Sequence, residues 1–169
     1  AEDCSSFACV KIFRAEMFRN VQFPVGYIYE DTIVCGILRQ MAKRIARTPA
    51  IVYNHRQNSN GTCAAAKSDN RAIDTYWVTK RVLLDHKTLG LPIDNKFYDI
   101  MLDNAKKQHA VMKTLKNKDV CKQAFVAMAD FYNRYFEGIE TSCNNKKRIS
   151  KAIKKGNYLA YRWHCLIGG

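Results

Sequence analysis

Apolar residues recur every three or four positions in several separate stretches of this chain, and that spacing makes those stretches packed helices. In residues 30–47, Ile33, Ile37, Met41 and Ile45 line up with Val34 and Leu38 beside them, while Arg39, Gln40, Lys43, Arg44 and Arg47 fall mainly off the stripe. Thr48-Pro49 ends that pattern, because a residue before proline avoids helical backbone. A second helix is expected over 71–89, carrying Ile73, Tyr76, Trp77, Val82, Leu83 and Leu84 and stopping at Gly90-Leu91-Pro92. Asp94 suits an N-cap for a third helix through Phe97, Met101, Ala105, Met112 and Leu115. Asn117 suits the cap of a fourth, with Cys121, Phe125, Met128, Tyr132, Tyr135 and Phe136 at helical spacing until Gly138 breaks it.

The ends of the chain read differently. In 157–167, Leu159, Tyr161, Trp163, Cys165 and Ile167 alternate with Tyr158, Ala160, Arg162, His164 and Leu166, a period of two that predicts a strand. Residues 10–18 or the short β-prone run 27–29 supply its pairing partner, and 51–53 reads as a further short strand. The expected fold is therefore mainly α: four to five helices in a bundle-like core, with a small antiparallel sheet formed by terminal segments. It becomes α+β if that sheet exceeds two strands. No repeat or linker divides residues 1–169, so a single disulfide-stabilised domain is expected.

Charge is the unusual part of the composition. Lys and Arg number 28 against 15 Asp and Glu, a net of +13, which favours anionic partners such as nucleic acid, sulfated glycans, acidic surfaces and acidic proteins. The excess is local. Lys146, Lys147, Arg148, Lys151, Lys154 and Lys155 fall within ten residues that hold no acid, and a short helix there would turn Ile149, Ala152 and Ile153 inward and fan the cations outward. Lys106, Lys107, Lys113 and Lys116, with Lys118 and Lys122, form a second basic set. The rings of Phe131, Tyr132, Tyr135 and Phe136 sit at core spacing, which packing explains more simply than base stacking.

Seven cysteines, Cys4, Cys9, Cys35, Cys63, Cys121, Cys143 and Cys165, are dispersed with no CxxC pair and no zinc-finger histidine spacing. Such dispersal favours an oxidising compartment and three bridges, with one odd cysteine available for an intermolecular disulfide. The start Ala1-Glu2-Asp3-Cys4 is what signal-peptide removal would leave. Asn60-Gly61-Thr62 is an N-glycosylation sequon in a polar loop spanning 54–70, which a bridge from Cys63 would pin. Secretion is the expected location, and no apolar run is long enough to span a bilayer.

For chemistry, the chain has His55, His86, His109 and His164 but no GxSxG, HExxH, P-loop or dinucleotide fingerprint. His55 and His164 are the pair to test for acid–base cleavage of RNA, though ordinary structural histidines account for them more simply. Phe7-Ala8-Cys9 resembles the aromatic-x-Cys start of small secreted RNase-like fungal effectors over those three residues, and the helical middle departs from that family's sheet-dominated fold. The leading expectation is a secreted cationic binding protein, either a host-directed effector or salivary-type factor or a cytokine-like ligand. It would engage its anionic partner through the C-terminal basic region, without metal or cofactor. A secreted ribonuclease-like enzyme and a carrier of a small apolar ligand in a helical pocket are the alternatives.

Overall fold

The computed structural model describes residues 7–54, 56, 58, 61 and 70–167. Two capped helices form its frame. The Asp94 carboxylate accepts from the Phe97 N–H (2.9 Å) and opens Asn95–Met112, here α3. The Asn117 side chain accepts from the Asp119 and Val120 N–H groups (3.0 and 3.3 Å) and opens Lys118–Tyr135, here α4. The connection is short, so α3 and α4 form a helical hairpin. The buried Tyr132 hydroxyl donates to the Met101 carbonyl (2.7 Å) and fixes their relative height.

Helix α2 (Asp74–Thr88) packs against both members of this hairpin. Asn104 of α3 donates to the Thr79 hydroxyl of α2 (2.6 Å), and the His86 ring lies flat on Phe97 at 3.6 Å. The Asp74 carboxylate accepts from the Ile28 N–H (3.0 Å) and so ties the N-terminal region to the start of α2. Ahead of α2, a π-helical turn Val34–Leu38 leads into the short α1 (Arg39–Met41). Gly36 lets that turn approach α2 closely, since a Cβ there would come within 2.3 Å of Val82 Cγ1.

The chain ends in two helices, α5 (Lys147–Lys154) and α6 (Tyr158–Ile167), which pack on the α3–α4 hairpin and on each other. Gly156 takes left-handed backbone (φ +59°), and its N–H and that of Asn157 donate to the Ile153 and Ala152 carbonyls (2.9 Å each), closing α5. The Asn157 side chain then accepts from the Ala160 N–H (3.0 Å) and starts α6.

The expected sheet is absent: among the described residues there is no strand. Residues 158–167 are helical because the alternation was produced by apolar residues that face solvent. Tyr158, Tyr161 and Cys165, at i, i+3 and i+7, pack on the core together with Ala160. Residues 10–18 contain only the 3₁₀ turn Ala15–Phe18, and 27–29 and 51–53 are irregular. The helix expected over 30–47 is helical only over 32–41, and the backbone turns extended at Ala42 (ψ 114°). Beyond Met41, Ile45 is 49% exposed, so burial no longer supports a helix. Continuing it would stack like charges at Arg39, Lys43 and Arg47, four residues apart.

Candidate anion-binding face

The loop before α5 is held by one buried carboxylate. Asp99 of α3 accepts from the Thr141 and Ser142 hydroxyls and from the Cys143 thiol (3.4 Å). Burial alone would raise this carboxyl, but those donors, with Lys146 beside them, hold it below the usual carboxylate value. Lys146 donates to the Asp99 carbonyl (2.9 Å) and pairs with Asp103 (2.7 Å), so its charge is turned into the fold. At the other end of α5, Lys154 donates to the Ile139 carbonyl (3.0 Å) and pairs with Glu140 (2.6 Å). Two of the six cations of the basic tract are therefore clamps that fix α5 in place.

The remaining four form a stripe. Ile149, Ser150, Ala152 and Ile153 are buried, and the Tyr98 and Ser150 hydroxyls are bonded (2.9 Å), which leaves Lys147, Arg148, Lys151 and Lys155 exposed on the outer side. None of the four has a side-chain partner among the described residues. No Asp or Glu occurs after Glu140, so no acid close in sequence follows the stripe. Arg162 on α6 is also exposed, with its guanidinium 5.6 Å from the centre of the Tyr158 ring.

The second basic set is more divided. Lys106 and Lys107 of α3 are engaged in contacts. Lys118 donates to the Lys113 and Leu115 carbonyls (2.9 and 2.6 Å) and closes the α3 C-terminus. Lys113, Lys116 and Lys122 are exposed. Lys113 and Arg162 share the wall of a cleft of about 50 Å³ between α3, α4 and α6, together with Gln108, His109 and Cys121. Gln108 Oε1 and His109 Nε2 are buried there without a partner. Burial, then the Arg162 and Lys113 charges, lower the His109 pKa. The cleft has the size and polarity that suit an ordered water and is small for an apolar ligand.

No known protein family, curated protein or solved structure matches the chain. Its own geometry therefore carries the functional argument.

The structure places the remaining candidates as follows. His164 lies on α6 with Nδ1 buried and unpartnered, while His55 falls outside the described residues. The sequon residue Asn60, Cys4 and Cys63 also fall outside them. No bridge joins two of the described cysteines. Cys9 is exposed, Cys121 donates to the Met112 carbonyl (3.1 Å), and burial pushes the Cys165 thiol up to about 11. Among the described residues no cluster of His, Cys, Asp and Glu is gathered for a metal ion, and no helix is long and apolar enough to cross a membrane. Sequence reasoning missed Asp99. Its partners lie 42 to 44 residues away, and no local pattern announces a contact at that separation.

Proposed function

We propose that the protein is a secreted cationic binding protein that engages an anionic partner through the outer face of α5. The observation that carries this reading is the stripe Lys147, Arg148, Lys151 and Lys155. It is exposed, has no acidic partner among the described residues, and lies on a helix anchored at both ends by paired lysines. Holding like charges together on a rigid helix raises the local potential and costs self-repulsion that a polyanion relieves. Release of counterions from the partner then supplies a salt-dependent driving force.

Heparin chromatography tests it. The native protein should elute above physiological salt, and Lys147→Glu/Arg148→Glu/Lys151→Glu/Lys155→Glu should elute well below it, with affinity lowered at least about tenfold. Elution of the two at the same salt would reject the reading.

A further inference from the structure

The neighbour of the cation stripe is an apolar ridge. On α6, Leu159 (73% exposed), Trp163 (60%), Leu166 (56%) and Ile167 (52%) stand at i, i+4, i+7 and i+8, so they form one line along the helix. The opposite side of α6 carries the buried Tyr161, whose hydroxyl donates to the Ala105 carbonyl (2.6 Å) and whose ring meets His109 at 5.5 Å. Of the other exposed apolar side chains, Ile12 and Ile51 sit on irregular chain, and Trp77 and Leu84 on α2 and Val126 on α4 form no row of four.

Ridge and stripe lie on the same side of the molecule. Helix α5 is seated on α3 at Tyr98, and α6 at Ala105 and His109. These three positions, at i, i+7 and i+11, occupy one face of α3. Both terminal helices therefore cover the same face of the hairpin, and their outer surfaces look away from it together. Arg162, one residue before Trp163, adds a cation on α6 itself, and the whole surface comes from a stretch without acidic residues.

We infer that the anionic partner is a lipid bilayer surface, on which α6 lies with its ridge in the headgroup–acyl boundary while the α5 cations meet anionic headgroups. This inference rests on the polyanion reading and names the partner for that face. A sulfated glycan rewards the cations and leaves the ridge in water. A nucleic acid gives Trp163 a base to stack on but offers nothing to Leu159, Leu166 and Ile167. A bilayer satisfies both halves at once, since an interfacial helix gains from buried apolar area and from attraction to anionic lipid. Tryptophan favours that boundary, with its apolar ring body and its polar N–H. Ten residues of helix are too few to cross, so α6 lies on the surface.

The chain has two tryptophans, so Trp77→Phe leaves Trp163 as the reporter. This variant should bind vesicles of mixed phosphatidylcholine and phosphatidylserine, with a blue shift of Trp163 emission, and should leave pure phosphatidylcholine vesicles unbound. Adding Leu159→Gln/Leu166→Gln/Ile167→Gln, which keeps helix-forming side chains, should lower vesicle binding at least about tenfold. Its heparin elution and melting temperature should stay unchanged. Heparin binding without vesicle binding in the Trp77→Phe protein itself would overturn the lipid inference alone, as would vesicle binding indifferent to the ridge variant. Loss of both heparin and vesicle binding in the native protein would overturn the polyanion reading with it. A lipid-free dimer with blue-shifted Trp163 emission would assign the ridge to a second copy of the chain and also overturn the inference.

Discussion

The α2–α4 surface and the α5–α6 surface carry similar residues and differ in how their charges are closed. On the first, Arg81 pairs with Asp85 (2.8 Å) and Arg134 with Asp130 (3.0 Å). Lys80 stands over the rings of Trp77 and Phe131 (5.7 and 5.9 Å), and Lys87 over Tyr135 (5.8 Å). An open groove of about 400 Å³ runs between Tyr76, Lys80, Phe131 and Tyr135, but its cations already face acids or rings. On the second surface, Lys146 and Lys154 are paired, whereas Lys147, Arg148, Lys151 and Lys155 have no partner among the described residues. Basic and aromatic composition is thus shared by two faces, and only the electrostatic closure separates them. A polyanion meeting the α2–α4 face must displace partners, while one meeting α5 displaces only water and ions.

The comparison can be broken at its foundation first, by removing Asp99. Asp99→Ala leaves the Thr141 and Ser142 hydroxyls and the Cys143 thiol without their acceptor and frees the loop that positions α5. A loss of roughly 3 kcal/mol is expected in chemical denaturation, with weakened heparin retention as α5 loosens. Unchanged stability would mean that Asp99 does not anchor the face.

Acidification should act at a similar scale. His86 is fully buried with both ring nitrogens unpartnered, and burial lowers its pKa from 6.5 to about 4, against a small opposing effect of Asp94. The folded state thus binds this proton less readily than the unfolded chain. Stability is full above pH 6.5 and falls as the pH drops toward 4, by on the order of 3 kcal/mol from His86. The lowered His109 pKa acts in the same direction. Asp99, held below its ordinary value, adds its loss only at still lower pH. Denaturation midpoints at pH 7 and 4.5 check this. A midpoint that does not fall, or a fall that persists undiminished in His86→Leu, would contradict it.

Two lysines of α5 then separate clamp from ligand. Lys154→Ala should destabilise the fold by about 1 kcal/mol, because the partly buried ammonium holds the Ile139 carbonyl and Glu140. Lys151→Ala should leave stability within about 0.5 kcal/mol and lower heparin affinity instead. The smallest effect is expected on the other face. Arg81→Ala removes an exposed pair at i, i+4, so stability should change by about 0.5 kcal/mol and heparin elution should not move.

The helices were legible in the sequence wherever a cap and an inward stripe agreed. Asp94 and Asn117 cap α3 and α4, and Ile149, Ala152 and Ile153 turn inward on α5 as their spacing indicates. The final segment was not legible from hydropathy, because a helix with an exposed apolar ridge imitates the alternation of a strand. Gly156-Asn157 held the correct signal, a left-handed stop followed by a cap. The basic tract was legible as charge but not as a site. Lys146 finds its acid 43 residues away and Lys154 finds one 14 residues away, so which cations stay open is decided by tertiary packing.

The most direct measurement is the salt dependence of heparin-oligosaccharide affinity for single Lys→Gln variants on the two faces. Each of Lys147→Gln, Lys151→Gln and Lys155→Gln should lower the slope of log K against log salt by about one counterion. Lys80→Gln and Lys87→Gln, whose ammonium groups rest on aromatic rings, should leave the slope unchanged. Equal slope changes on both faces, or none on α5, would contradict the assignment of polyanion binding to the open stripe.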